Sequence, residues 1–347
     1  MTEKTILPNA QTQTTELARK SRYLLWLTFT LFLTFDLVVF GAYVRLTDSG
    51  LGCPDWPGCY AKATPWQALA DIRAEEALRP DGAVTHFKAW VEMIHRYVAS
   101  FLGLLCIGLL VWAVRWKDAL KQSPVLPAFT LFWVCLQGAF GMWTVTLKLM
   151  PIIVTLHLLG GLTLLALLGW QQSRLSAAPP LSAATQQQRH WVWLLLGVLT
   201  LQIALGGWVS TNYAALACDT VPLCQGAWVP RMDVAQGFAL WRDLGATRSG
   251  EWLPFAALVA IHWVHRSMAV VVLGVAIFVL LKLKRATEIK PYRRGMMAVL
   301  SLQIFTGLAN VVLNYPLLAA VLHTAGAAAL VLIVVRLLAK MHASPSQ

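Results

Sequence analysis

Eight apolar runs divide the chain, and each is long enough to cross the roughly 30 Å of a bilayer's hydrocarbon core. In chain order they lie at 23–45, 89–112, 125–147, 152–172, 191–212, 254–281, 294–314 and 317–339. The first run is too long for the core of a signal peptide, and no small-residue cleavage site follows it, so we expect a retained helix. The pattern predicts an all-α polytopic membrane protein with eight transmembrane helices.

Charge is sparse and unevenly distributed. Of 347 residues, 58% are hydrophobic and 13% are charged, about half the charged fraction of a soluble domain. The net charge of +12 comes from basic termini and from basic short loops at 113–124, 173–190 and 282–293, whereas the long loops 46–88 and 213–253 hold most of the acids. This distribution indicates topology and lipid-headgroup contact rather than a nucleic-acid partner. It predicts cytoplasmic termini and long loops on the outer side.

Short motifs recur in one order at a nearly constant offset. GAYV at 41–44 precedes GGWV at 206–209 by 165 positions, and LQGAFG at 136–141 precedes LQIFTG at 302–307 by 166 positions. Cysteines and histidines follow the same frame: Cys53 and Cys218, Cys59 and Cys224, His157 and His323, and, at an offset of 170, His95 and His265. The recurrence predicts a duplicated four-helix unit. Because each unit begins and ends inside, the two bundles are expected to be parallel and pseudo-symmetric.

The predicted organisation has five parts. They are an N-terminal tail 1–22, a first four-helix unit 23–172, a cytoplasmic linker 173–190, a second four-helix unit 191–339 and a C-terminal tail 340–347.

Histidines within the predicted spans are the strongest candidates for chemistry, because polar groups in a bilayer are costly. His95 and His157 each lie about six residues into a helix that runs inward, or roughly 9 Å below the outer surface. His323 has a similar expected depth, and His265 is slightly deeper. Two facing histidines at one level suit the two axial positions of a haem iron. Interhelical hydrogen bonding by each histidine is the alternative, and a zinc or two-metal site is less favoured.

Two arginines and one glutamate stand beside these histidines. Arg96 and Arg266 each follow a candidate ligand directly, so they are candidates for pairing with haem propionates. Glu92 lies one helical turn before His95 and is interpreted either as an acid/base group beside a bound haem or as an ion-pair partner of Arg96 or a neighbouring histidine. His262 takes the place of Glu92 in the second unit, which favours one reaction site and one cofactor site. Asp36 is mid-span, without a partner that the sequence can name.

The outer loops each contain a cysteine pair. Cys53 and Cys59 enclose PDWPG, and Cys218 and Cys224 enclose DTVPL. Each pair is expected to close a short disulfide ring, since disulfides persist outside the cytoplasm. A redox-active pair and a shared zinc site are the alternatives. The two remaining cysteines, Cys106 and Cys135, lie in spans and are interpreted as packing residues.

Several of these motifs together resemble the haem A synthase family, over about residues 23–339. The motifs are GAYVRLTDSGLGCPDWPGC (41–59), EMIHR (92–96), TLHLLGG (155–161), HR (265–266) and LH (322–323). The first motif, followed downstream by EMIHR, is the most specific part, and the motifs of the second half are weaker alone.

The resemblance implies an oxidoreductase that converts the C8 methyl of haem O to a formyl group by successive hydroxylations, for cytochrome c oxidase assembly. It implies haem b as cofactor in the second half, on His265 and His323, and haem O as substrate in the first half, on His95 and His157. It also implies a functional role for Glu92. The pair Cys53 and Cys59 matches the family's outer-loop disulfide.

The resemblance leaves other properties open. His262 has no family role, and the loop 60–88 is long for a bacterial member. The expected location is a bacterial inner membrane, with the cysteine loops on the periplasmic side. Haem O synthase is a candidate partner and a homo-oligomer a candidate state, while the electron acceptor and the oxygen source are undetermined. The competing functions are a bis-histidine cytochrome b-type electron-transfer protein and a membrane haem transporter or chaperone.

Overall fold

The structure is a computed structural model, and it describes residues 10–80, 82–176 and 181–342. The outer parts of both predicted tails and residues 177–180 of the predicted linker lie outside the described residues. Within the described ranges, eight helices are long and apolar enough to cross a membrane, which confirms the predicted all-α, eight-span class. They are α1 Ala10–Leu46, α2 His86–Arg115, α3 Val125–Thr146, α4 Pro151–Leu175, α5 Arg189–Thr211, α6 Phe255–Lys282, α7 Lys290–Val312 and α8 Leu317–Met341.

Short elements connect these helices. The α-helical ones are Leu69–Leu78, Lys117–Leu120, Ala183–Gln187 and Val234–Gly237, and the 3₁₀ turns are Ala214–Leu216 and Thr287–Ile289. The helix Leu69–Leu78 accounts for part of the long 60–88 loop, and its Asp71 pairs with Lys62 at 2.7 Å.

Helix ends follow local chemistry. Thr85 caps α2 by accepting a hydrogen bond from the backbone N–H of Lys88 at 3.2 Å, which satisfies a donor that the first helical turn leaves free. Proline begins α4 at Pro151, where its missing N–H costs nothing. The α2 helix therefore starts at His86, three residues before the predicted start of the span at residue 89. His95 lies nine residues into its helix rather than six, or about 14 Å along the axis, which brings it closer to the ten-residue position of His265.

The helices of the two units pack in related ways. Helix α1 packs on α2 and α4, and α3 packs on α4; correspondingly, α5 packs on α6 and α8, and α7 packs on α8. The units meet through α1 with α8, α4 with α5, and α4 with α8. Tight interhelical packing replaces the hydrophobic effect as the main attraction between helices in lipid. One difference separates the units: α2 packs along α3, whereas α6 and α7 approach each other less closely.

Equivalent positions of the two units touch at the end of the molecule that carries the cysteine loops, called the disulfide end below. Arg45 donates to the carbonyl of Ser210 at 2.5 Å, and these residues are 165 positions apart. Tyr213 donates to Asp48 at 2.6 Å, again 165 positions apart, and the guanidinium of Arg45 lies 4.0 Å from the centre of the Tyr213 ring. Contacts between equivalent residues are expected where an approximate two-fold axis passes between repeats.

Candidate functional site

His95 and His265 each lie against a glycine on the first helix of their own four-helix unit. A Cβ atom added to Gly41 of α1 would be 3.1 Å from Cε1 of His95 on α2. The same construction on Gly206 of α5 gives 3.0 Å to Cε1 of His265 on α6. Both distances are tighter than ordinary carbon contacts. Because only glycine leaves this space for the imidazole ring, the recurring GAYV and GGWV motifs are explained by the histidines that they face.

The other two histidines repeat this relation more loosely. A Cβ at Gly141 of α3 would lie 3.6 Å from Cε1 of His157 on α4, and one at Gly307 of α7 would lie 3.4 Å from Cε1 of His323 on α8. The four predicted histidines thus share one environment, a glycine on an adjacent helix. Their glycine partners were visible in the sequence only as parts of repeated motifs, without an assigned role.

A glutamine and a glycine form a second repeated contact beside the histidines of α4 and α8. Gln303 donates through Nε2 to the backbone carbonyl of His323 at 2.8 Å, and its amide occupies the space that a side chain at Gly326 would need. Gln137 lies in the same way against Gly160. Each contact fixes the helix on which a histidine sits.

The histidines form one pair in each unit. In the first unit, the helices of His95 and His157, α2 and α4, both pack on α1, and in the second unit the helices of His265 and His323, α6 and α8, both pack on α5. Two imidazoles are too few to enclose a bare metal ion, but they match the two axial positions of an iron whose other four ligands come from a porphyrin. The donor set and the space that the glycines leave around each ring therefore fit haem.

Glu92 is buried and anchors the first disulfide loop. Its carboxylate accepts from Nη2 of Arg96 at 2.6 Å and from the backbone N–H of Cys53 at 2.8 Å. Cys53 is disulfide-bonded to Cys59 with an S–S distance of 2.04 Å. The ion pair that the sequence offered as one interpretation of Glu92 is present, and it also reaches the disulfide ring.

Arg96 is bound to the same loop. Through Nη1 it donates to the carbonyls of Asp55 at 2.8 Å, Pro57 at 3.2 Å and Gly58 at 2.7 Å. Both terminal nitrogens of this guanidinium thus contact protein. Pairing of Arg96 with a propionate stays a prediction, and it would require the guanidinium to share or exchange these partners.

In the second unit, a histidine takes the place of the glutamate that anchors the disulfide loop. His262 accepts through Nδ1 from the backbone N–H of Cys218 at 3.2 Å, so it performs the anchoring that Glu92 performs in the first unit. Cys218 and Cys224 form the second disulfide. Arg266 donates through Nη2 to the carbonyl of Thr220 at 2.7 Å, whereas its buried Nη1 has no partner among the described residues. Arg266 therefore keeps a donor for an anionic group, as a propionate role requires.

The remaining polar candidates lie apart from the histidine pairs. Asp36 is exposed on the surface of α1, and within the described ranges it has no ion-pair partner. The thiol of Cys106 is buried and that of Cys135 is exposed, and neither is bonded to another cysteine.

Comparison with known proteins matches most of the chain to one family. The model of the COX15-CtaA family, described as cytochrome oxidase assembly protein, matches residues 24–335. A heme A synthase of Shewanella oneidensis is 39% identical over 308 residues, covering 88% of this chain and 92% of that protein. Heme A synthases of Allorhizobium ampelinum and Caulobacter vibrioides are each 26% identical, covering 87% and 88% of this chain and 86% and 92% of their own lengths.

Proposed function

Because the chain belongs to the COX15-CtaA family of cytochrome oxidase assembly proteins, we propose that it is a haem A synthase. It is a multi-pass membrane protein that oxidises the C8 methyl of haem O to a formyl group. The observation that carries the proposal is the repeated pair of histidines, each ring lying against a glycine. Family membership and the heme A synthases among its relatives support the reaction.

Haem O binds in the first unit, between His95 and His157. Its long hydrocarbon tail suits a site inside a membrane bundle, because both tail and lipid are apolar. Gly41 and Gly141 leave room for the two rings that would bind its iron.

In the second unit, His265 and His323 would hold the iron of haem b, and the free Nη1 of Arg266 would contact a propionate. When bound, this cofactor supplies one-electron redox chemistry. The protein's part is to hold the two imidazoles, to keep the α6 and α8 helices in register and to separate the cofactor from the substrate unit.

Glu92 acts at the reacting edge of the substrate unit. With water as the oxygen source, conversion of a methyl to a formyl group releases four protons and four electrons, so the site needs a proton acceptor and an electron acceptor. The Glu92 carboxylate is the acidic group nearest in sequence to a substrate ligand and is held in place by Arg96 and Cys53. It accepts a proton or stabilises a cationic intermediate of the substrate as water adds.

The test of the function is expression in cells that make haem O but not haem A, followed by haem extraction and chromatography. The expected products are haem A and its hydroxylated precursor, and His95→Ala should abolish both. Unmodified haem O as the sole product would favour a transporter or chaperone. Two tightly held b haems, with no product, would favour electron transfer.

The test of Glu92 uses the second unit as a guide. His262 shows that a histidine at this position can anchor the disulfide loop, so Glu92→His removes the carboxylate while offering a replacement acceptor. We expect this variant, like Glu92→Ala, to lose haem A formation. Normal haem A formation by Glu92→Ala would exclude the catalytic role.

The proposal extends to location and partners. The protein lies in a bacterial inner membrane with both termini in the cytoplasm and the disulfide end on the periplasmic side. Haem O synthase is the candidate donor of substrate, and self-association and the electron acceptor are to be identified by purification of the intact membrane complex.

A further inference from the structure

The two units differ in what holds the second nitrogen of each histidine ring. In the second unit, Nδ1 of His323 lies 2.9 Å from the hydroxyl of Thr306. That hydroxyl already donates to the carbonyl of Leu302 at 2.8 Å, so toward His323 it acts as an acceptor. Nδ1 of His323 therefore carries the proton, and Nε2 keeps the lone pair that an iron needs.

His265 also has a side-chain neighbour at this nitrogen. The amide NH2 of Gln202 donates to Nδ1 of His265 and to its backbone carbonyl, each at 3.2 Å. The Gln202 side chain thus restrains both the ring and the backbone of this residue, but as a donor it does not place a proton on Nδ1, as the Thr306 hydroxyl does for His323. Gln202 and Thr306 belong to the helices that also carry the glycines facing these rings.

The first unit lacks both contacts. Nδ1 of His95 and Nδ1 of His157 are buried, and neither has a hydrogen-bond partner among the described residues. The repeat frame gives the cause: the position of Gln202 is taken by Leu37, 165 residues earlier, and that of Thr306 by Phe140, 166 residues earlier. Neither replacement can donate or accept through its side chain.

This difference has a physical consequence for any metal that the rings hold. A hydrogen bond donated by the N–H of the distal nitrogen fixes the tautomer and orientation of a ligand histidine and raises its basicity, and its loss typically lowers metal affinity about 10- to 100-fold. Rings without the bond rotate more freely and bind iron more weakly. A retained cofactor needs ligand histidines with this hydrogen bond, because they hold iron tightly. A substrate that leaves as product needs ligand histidines without it, because they release iron more readily.

We propose that Thr306 is a positioning residue that makes the second unit a retaining haem site, and that Phe140 at the equivalent position makes the first unit an exchanging one. The inference rests on the proposed function, since it takes the four histidines as iron ligands. It names residues of the chain that explain why one unit keeps its haem and the other releases it.

The experiment measures haem release from purified full-length protein to excess apomyoglobin, followed by the Soret absorption. Haem b serves as the common probe. The variant His95→Ala/His157→Ala reports the second unit alone, and His265→Ala/His323→Ala reports the first. We expect release from the first unit to be at least about 10-fold faster. Equal rates would overturn the proposal.

Thr306 is then tested in the second-unit background. Thr306→Val keeps the shape and removes the hydroxyl, and should speed release about 10-fold or more; Thr306→Ser keeps the hydroxyl and should restore a near-normal rate. Thr30→Val is the matched control, because Thr30 is equally buried and its hydroxyl, among the described residues, bonds only the carbonyl of Trp26. Release from Thr306→Val within threefold of the parent would refute the positioning role.

The ligand assignment is checked separately by His323→Ala alone. Loss of the bound haem b spectrum is expected. If that spectrum survives, the ligands of the proposed function are wrong, whatever Thr306→Val does. If it is lost while Thr306→Val behaves as the parent, the ligands stand and only the positioning role fails.

Discussion

Replacement of Glu92 should release the first disulfide loop. The side chains of Glu92 and Arg96 are only 5% and 12% exposed, so Glu92→Ala leaves a nearly buried guanidinium without its carboxylate and the N–H of Cys53 without its acceptor. Removing one partner of a buried ion pair costs about 3–5 kcal/mol. Arg96 keeps its hydrogen bonds to three loop carbonyls. We therefore expect a cost at the lower end of this range, about 3 kcal/mol.

Hydrogen exchange is the suitable assay, because the loss is local. Each 1.4 kcal/mol corresponds to a factor of ten in an opening equilibrium, so amides in the segment 50–60 should exchange roughly 100-fold faster in Glu92→Ala. Glu92→Gln keeps an acceptor but loses the charge, at a cost of about 1.5–3 kcal/mol, and should accelerate exchange about 10-fold or more.

The second unit supplies the internal control. His262→Ala should leave the segment 50–60 unchanged and accelerate exchange in 217–225 by roughly 5-fold, as expected for loss of one neutral hydrogen bond of about 1 kcal/mol. Exchange in 50–60 within threefold of the parent for Glu92→Ala would refute the anchoring role. The loop would then be held by its disulfide and by Arg96 alone.

Other predictions test the packing around the histidines and between the units. Gly206→Ala should displace the His265 ring and strongly lower the haem b content of purified protein, whereas Gly307→Ala, where the new Cβ is 3.4 Å from its histidine, should lower it less; Gly138→Ala, with nothing within 4 Å, should match the parent. Gly326→Ala should conflict with the Gln303 amide and cost about 1–3 kcal/mol of stability by overpacking, seen as a lower thermal midpoint, while Gly197→Ala, in open space, should have a midpoint no lower than the parent. Arg45→Ala removes the bond to Ser210 and the stacking on Tyr213, and a loss of about 1–2 kcal/mol in thermal unfolding is expected; an unchanged midpoint would show that the unit junction does not depend on this contact.

Much of the architecture could be predicted from the sequence. Apolar length alone predicted the eight spans, since a bilayer imposes nearly the same requirement on every crossing helix. The offset between repeats also predicted that the four histidines form two equivalent pairs. Helix ends were less accurate: α2 begins at His86 because Thr85 caps it, and the polar residues before the apolar run concealed that start.

The roles of individual residues within the site were less visible. The sequence presented Glu92 and His262 as a chemical difference between the units, and the structure shows that both also do one structural task, binding the N–H of a disulfide cysteine. The positions of Arg96 and Arg266 beside the histidines predict contacts with haem propionates. Their hydrogen bonds to loop carbonyls could not be predicted, because these bonds depend on how the loops fold back onto the helices.

The sequence by itself determined the class of protein. It also predicted the duplication and the histidine pairs, because hydrophobic length, charge and repeat spacing are all properties of the linear chain. Only the tertiary structure decided which atoms meet: a glycine beneath each ring, a hydroxyl of Thr306 at Nδ1 of His323, and no partner at the same nitrogen of His157. These contacts join helices that are distant in sequence or meet at specific angles, and a hydrogen bond depends on tenths of an ångström. Periodicity along the chain carries no information at that scale.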